Sequence, residues 1–296
     1  MSPAPDGTIT WRELLAEADA RLAADGSPSA QVDARWIVAE CLDVTPSELS
    51  AALNELATER GVARFDEMVR RRAAGEPLQY VLGSWGFRTL DLMVDPRVLI
   101  PRPETESVVE VALAELDALG GGERPTRVVD LGTGSGAIAL SFAVERVRTE
   151  VWATDVSEDA LAVARANIAG IGRPGSRVRT AVGDWFAALP AHLRGTFDLV
   201  VANPPYVASA AELPDEVAGW EPAGALWSDM DGTADLRRIV SEAPDWLLPG
   251  GALVCELSPE QAHDMVELAG THFETAAVEP DLTGRSRALV AKRPRR

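Results

Sequence analysis

The chain is short of lysine, cysteine, histidine and tyrosine, and each shortage narrows what it can do. Its 296 residues contain a single lysine, Lys292, so arginine supplies nearly all the positive charge. The two cysteines, Cys41 and Cys255, stand alone, which excludes a disulfide framework. His192, His263 and His272 form no His-x-x-x-His or His-x-His set and have no cysteine at ligand spacing, so no metal site is expected. There is no Gly-x-Ser-x-Gly elbow and no Gly-Lys-Ser/Thr phosphate loop, which removes serine hydrolases and P-loop enzymes. No apolar run approaches the roughly 18–20 residues that span a bilayer. The opening residues, MSPAPDGTITWRELL, carry neither the basic start nor the apolar stretch of a secretory signal. A cytoplasmic protein that does not bind membranes is expected.

Positive charge is scarce overall. Twenty-eight basic residues against 46 acidic ones leave a net charge of −18. That is the wrong sign for general attraction to phosphate backbones, and direct nucleic-acid binding is not expected. It suits solubility, or a partner that is itself basic. Apolar residues at 46% and charged residues at 25% are ordinary for globular protein, and the length suits about two domains.

Residues 1–76 read as a helical bundle. Trp11, Leu14, Leu15, Ala18 and Leu22 follow a helical period, as do Ala34, Ile37, Val38, Cys41 and Leu42. A third helix is expected from Thr45-Pro46-Ser47, and a fourth through Val62, Phe65 and Val69, ending near Gly75. Residues 77–100 read as a β-hairpin linker. A double-proline segment, Leu99-Ile-Pro-Arg-Pro-Glu-Thr-Glu106, leads into a helix from about Glu104 to Leu119 that Gly120-Gly-Gly122 closes. Residues 101–296 then alternate strand and helix, the pattern of an open, mostly parallel sheet covered on both faces. Strands are expected at Arg127–Leu131, Glu150–Asp155, Arg177–Val182, Phe197–Ala202, Ala252–Leu257, Phe273–Glu279 and Arg287–Ala291, with helices after the first, second and fifth. The basic tail Lys292-Arg-Pro-Arg-Arg296 is expected to fray.

Four segments carry chemistry. Val128-Val-Asp-Leu-Gly-Thr-Gly-Ser-Gly136 runs from a strand through a glycine turn into a helix. Glycines there let a ligand approach the backbone, whose N–H groups can receive it. Asp155 ends the next strand, 19 residues past Gly136, where a carboxylate can accept both hydroxyls of a ribose. NAD and S-adenosylmethionine satisfy these two features equally. Gly183-Asp-Trp-Phe186 follows the third strand; Asp184 could bond an adenine amino group, and Trp185 or Phe186 could cover its ring. Asn203-Pro-Pro-Tyr206 follows the fourth. Its prolines stiffen the chain beyond the ladder and leave carbonyls without local partners. The Asn203 side-chain oxygen and the Pro204 carbonyl make two convergent acceptors for one planar amino group, with Pro205 beside them and Tyr206 available to stack on it.

Asn-Pro-Pro-Tyr together with Asp-Leu-Gly-Thr-Gly-Ser-Gly resembles the amino-methylating S-adenosylmethionine-dependent methyltransferases, which act on adenine, cytosine or glutamine nitrogens. Leu99–Glu106, Gly75-Glu-Pro-Leu-Gln-Tyr80, Trp220-Glu-Pro222 and Gly284-Arg-Ser-Arg287 narrow the likeness, over nearly the whole chain, to the release factor glutamine methyltransferases. The resemblance implies a class I methyltransferase fold, with a Rossmann-like seven-stranded sheet and a small helical N-terminal domain that recognises substrate. It implies S-adenosylmethionine as cofactor, S-adenosylhomocysteine as product, and the glutamine N5 of a Gly-Gly-Gln motif in peptide chain release factors as acceptor. Gly132, Thr133, Gly134, Ser135, Gly136, Asp155, Asp184, Trp185 and Asn203 would then bind the cofactor. Asn203, Pro204 and Tyr206 would be catalytic, and with Pro205 would hold the substrate. Arg102 and Glu104 would shape the wall between cofactor and substrate. Two segments depart from the family pattern, Cys255-Glu-Leu-Ser-Pro259 and Trp220 in place of a phenylalanine; Trp220 would alter a wall of the substrate channel. The competing readings are an adenine-N6 methyltransferase of DNA or RNA, a glutamine methyltransferase of a ribosomal protein, an NAD-dependent dehydrogenase and a non-catalytic cofactor-binding module. The charge opposes the first, the Pro-Glu-Thr-Glu run the second, and the tetrapeptide has no use in the last two.

Overall fold

A computed structural model describes residues 8–120, 124–207, 214–228 and 231–295. The chain divides into two compact units, one of Met1–Gly83 with Pro214–Trp220 and one of Ser84–Leu213 with Glu221–Arg296.

The first unit is helical: α1 (Trp11–Ala24), α2 (Ala30–Leu42), α3 (Leu49–Ala52), α4 (Glu59–Ala73) and α5 (Leu78–Leu82). Thr10 starts α1 with a reciprocal cap: its hydroxyl accepts from Glu13 N, and the Glu13 carboxylate accepts from Thr10 N at 2.8 Å. Trp11, Leu14, Ala18 and Leu22 form one buried stripe against Ile37 and Val38 of α2 and Phe65 and Val69 of α4. The third helix is a single turn starting at Leu49, because Thr45 spends its hydroxyl and N–H on the Glu48 carboxylate. Buried Arg72 pairs with Asp33 and with Glu216, each at 2.7 Å. The unit runs through α5 to Gly83, so the stretch expected as a hairpin linker opens with a helix.

The second unit begins with a hairpin of β1 (Ser84–Phe87) and β2 (Leu90–Met93), followed by α6 (Pro103–Ala118). Then come β3 (Thr126–Leu131), α7 (Ala137–Glu145), β4 (Thr149–Asp155), α8 (Glu158–Gly170), β5 (Val178–Val182) and β6 (Phe197–Ala202). After α9 (Asp215–Ala218), which belongs to the helical unit, follow α10 (Ala223–Leu226), α11 (Ala234–Glu242), β7 (Leu247–Glu256), α12 (Ala262–His272), β8 (Phe273–Pro280) and β9 (Ser286–Pro294). The large sheet has the order β5-β4-β3-β6-β7-β9-β8, parallel through β7 and antiparallel at β9 and β8. Alternate strand residues serve opposite faces. Val128, Leu199, Val201 and Val254 meet α6 and α7 through Val108, Ala112 and Phe142. Val129, Val200 and Leu253 meet α11 and α12 through Ile239 and Met265.

Further expectations are corrected in the sheet and its core. The basic tail is strand through Pro294: Lys292 pairs across to Ala252, its Nζ meets Glu115 at 2.6 Å, and Arg295 N donates to His272 O at 2.7 Å. Only Arg296 of that tail lies outside the described residues, as do Gly121 and Gly122 of the loop after α6. The strand expected at Ala252 begins at Leu247, and α11 was not anticipated. Phe186 is core: it stacks on Trp246, ring centroids 5.7 Å apart, and offers no face to a ligand.

Candidate active site

Strand order decides where the site lies. The chain leaves β3 toward β4 on one side, while β6 lies on the other, so the loops after β3 and β6 diverge and open a crevice at the carboxyl edge. Leu131 pairs with Ala202, which sets Gly132 and Asn203 side by side as the first residues beyond the sheet. A cavity of about 280 Å³ occupies this place; Gly132, Thr133, Gly134 and Ser135 of the glycine turn, Thr105, Asp155, Asp184, Trp185, Asn203 and Pro205 line it, whereas the expected site residues Gly136, Pro204 and Tyr206 do not.

The glycine turn depends on left-handed backbone at Gly132, Gly134 and Gly136, with φ of 73°, 54° and 89°. A Cβ at Gly132 would sit 3.1 Å from the Trp185 ring, so the turn lies bare beneath that indole. Asp155 braces the turn from the next strand: its Oδ2 accepts from Gly134 N and its Oδ1 from Ser157 N, both at 2.9 Å. Burial raises the Asp155 pKa, against those backbone donors. Asp130, wholly buried beneath the turn, accepts from Thr133 Oγ1 at 2.6 Å and Ala139 N at 3.1 Å through Oδ2. Its Oδ1 has no partner, and desolvation pushes its pKa up to about 7. Asn167 of α8 clamps the turn by donating to Ser135 O at 2.9 Å.

Trp185 holds a strained backbone, φ 48°, and its Nε1 donates to Asp235 Oδ1 at 3.0 Å. Asp184 lines the cavity while its Oδ2 pairs with Arg238 at 2.6 Å.

In the tetrapeptide, Asn203 and Pro205 face the cavity, Pro204 is buried, and the Tyr206 hydroxyl donates to Glu256 Oε1 at 3.5 Å. Asn203 Nδ2 donates to Thr105 Oγ1 at 3.2 Å, and that hydroxyl donates to Glu256 Oε2 at 2.7 Å. Burial pushes Glu256 up to about 7, and burial with the Glu256 charge pushes Tyr206 up to about 12. Sequence reasoning missed Thr105 and Glu256. Thr105 sits inside the Leu99–Glu106 run and Glu256 inside the departing Cys255–Pro259 run, so both segments stood out without a role for either residue. Ala202 pairs with Cys255, so the parallel register alone brings Glu256 beside Asn203.

Arg102 pairs with Glu221, whose other oxygen accepts from Ile100 N at 3.1 Å. The double-proline segment and the Trp-Glu-Pro segment thus meet through one buried carboxylate. Trp220 itself clusters with the helical unit. Among the described residues, no group of three or more His, Cys, Asp or Glu could hold a metal ion, and no helix is long and apolar enough to cross a membrane.

Comparison with known proteins agrees with this geometry. Residues 13–83 match the model of the PrmC N-terminal domain and residues 111–218 that of the methyltransferase small domain. The chain is 39% identical over 283 residues to the release factor glutamine methyltransferase of Deinococcus radiodurans, covering 95% of this chain and 98% of that one. The corresponding protein of Moorella thermoacetica is 40% identical over 290 residues, covering 96% and 99%. Among solved structures, the hMettl16 catalytic domain in complex with a 3′UTR hairpin matches in fold, with a TM-score of 0.52 and 15% identity over 81% of this chain and 84% of that chain. With a methyltransferase sheet, a glycine-loop crevice and full-length relatives of this kind, the chain belongs to the release factor glutamine methyltransferase family.

Proposed function

We propose that the protein methylates the side-chain amide nitrogen of the glutamine in the Gly-Gly-Gln motif of peptide chain release factors, in the cytoplasm. The observation that carries this reading is a single cavity lined both by the glycine turn with Asp155 and by Asn203 and Pro205 of the Asn-Pro-Pro-Tyr run. The residues present suit S-adenosylmethionine: a bare glycine backbone under an indole, and a carboxylate at the end of the adjacent strand. Asp155 would take the ribose hydroxyls, Asp184 and Trp185 the adenine end, and the backbone of Gly132–Gly136 the polar remainder. When bound, the cofactor supplies an electrophilic methyl group.

The work left to the chain is to make an amide nitrogen reactive. Its lone pair is delocalised into the carbonyl, so it is a poor nucleophile. Asn203 Oδ1 and the Pro204 carbonyl would accept its two hydrogens, favour a more amine-like nitrogen and stabilise positive charge as it develops. This is positioning with electrostatic preorganisation, and it needs no strong base. The helical unit, residues 13–83 of which match the PrmC N-terminal domain, would dock the release factor. The test is methyl transfer from labelled S-adenosylmethionine to purified release factor, to its Gly-Gly-Gln Gln→Ala variant and to unmethylated DNA. Label on the intact factor alone is expected; label on DNA, or on nothing, defeats the reading.

A further inference from the structure

We propose that Thr105 and Glu256 are positioning residues that lock the Asn203 amide with its oxygen toward the cavity. The inference rests on the catalytic reading of Asn203 given above and adds two residues to it. A count of protons carries the argument. A threonine hydroxyl has one proton and two acceptor lone pairs. Thr105 Oγ1 commits its proton to Glu256 Oε2 at 2.7 Å and can then only accept. Asn203 Nδ2, 3.2 Å away, supplies the donor. The two ends of a carboxamide are nearly alike in size, so the bonding partner, not shape, chooses between them. Thr105 and Asn203 both line the cavity, and with Nδ2 engaged by Thr105, Oδ1 is the end of the amide left for a ligand there.

The fold builds this relay from three distant segments. Asn203 and Glu256 follow paired residues on β6 and β7, and Thr105 comes from the first turn of α6. The second carboxylate oxygen accepts from Tyr206, so donors address both oxygens of an ionised Glu256. Reversing the relay would reverse the site. A protonated Glu256 would donate to Thr105, Thr105 would donate to Asn203 Oδ1, and Nδ2 would point at the incoming amide, donor against donor. The groups that set this balance are Arg287 of β9, which favours the ionised form, Glu104 of α6, which opposes it, and Tyr206; Arg102 acts on Tyr206.

The test compares Thr105→Val, Thr105→Ser and Glu256→Gln with wild type and with Asn203→Ala in the release factor assay. It reads kcat, KM, the Kd for S-adenosylhomocysteine and the pH profile of kcat. Thr105→Val and Glu256→Gln are expected to lower kcat about tenfold or more with that Kd unchanged within about twofold. Thr105→Ser should restore kcat. Wild type should lose kcat as pH falls through about 7, and Glu256→Gln should lack that acid limb. Thr105→Val with wild-type kcat, a loss that Thr105→Ser does not rescue, or an acid limb that survives Glu256→Gln would each overturn the inference. Wild type that leaves the release factor unlabelled overturns instead the functional reading beneath it. Label that Asn203→Ala abolishes preserves that reading whatever Thr105 does.

Discussion

Asn203→Ala separates structural from chemical roles more cleanly than any other single change. Structurally, the variant removes one hydrogen bond, from Nδ2 to Thr105 Oγ1 at 3.2 Å, in a half-buried setting. A neutral bond of that kind contributes about 1 kcal/mol net. In a domain of this size that corresponds to a drop in Tm of roughly 2–4 °C. Chemically, under the proposed mechanism, the variant deletes one of the two acceptors that would receive the hydrogens of the reacting nitrogen. Losing one such preorganised group lowers kcat by about 10²–10³-fold, or roughly 2.7–4 kcal/mol of transition-state stabilisation. The glycine turn and Asp155 hang from β3 and β4, not β6, so affinity for S-adenosylhomocysteine should be partly retained even though Asn203 is itself one of the expected cofactor residues. Rates under saturating methyl donor, calorimetric titration of S-adenosylhomocysteine and a thermal melt supply the three numbers. A kcat within about fivefold of wild type would refute the acceptor role. A kcat loss matched by equal loss of cofactor affinity would show the residue acting through the cofactor instead.

Asp155→Ala should weaken S-adenosylhomocysteine about 10–100-fold, whereas Asp155→Asn, which keeps an acceptor oxygen, should retain more affinity; equal titration curves for wild type and the alanine variant would remove the ribose role. Arg102→Ala strands the buried Glu221 carboxylate and should cost about 3 kcal/mol in denaturant unfolding, against about 1 for Glu221→Gln, which still accepts from Ile100 N; a neutral Arg102→Ala would contradict the pairing. Asp130 gives a pH signature. Its folded pKa lies above the unfolded value, so its contribution is complete below about 4 and is lost as pH rises toward about 7, a fall of a few kcal/mol. Asp130→Asn keeps an acceptor for Thr133 and Ala139 and should flatten that slope; parallel stability-against-pH curves would count against it.

Much of the second unit was legible because its signals are local. Short apolar runs ending at the carboxyl edge mark Phe197–Ala202 and Glu150–Asp155 as strands of a buried parallel sheet, and glycine at 132, 134 and 136 meets a left-handed backbone requirement at each position. Asn203-Pro-Pro-Tyr206 announces itself through backbone groups that no ladder can use. Where local pattern and tertiary demand diverged, the reading failed. The tail looked solvated because it is nearly all basic, yet backbone pairing to β8 carries β9 through Pro294, with Arg293 exposed and Pro294 buried. Phe186 looked like a ring for adenine because nothing nearby in the chain reveals that Trp246, sixty residues on, fills its stacking face.

The sequence by itself therefore determined the family of folds, the glycine turn, Asp155 at the end of its strand and the Asn-Pro-Pro-Tyr tetrapeptide, since each is written in a short run of residues. Only the tertiary structure decided which groups stand behind Asn203. Thr105 and Glu256 reach it through helix packing and strand register across 98 and 53 residues of chain, and no local pattern encodes a neighbour that far away.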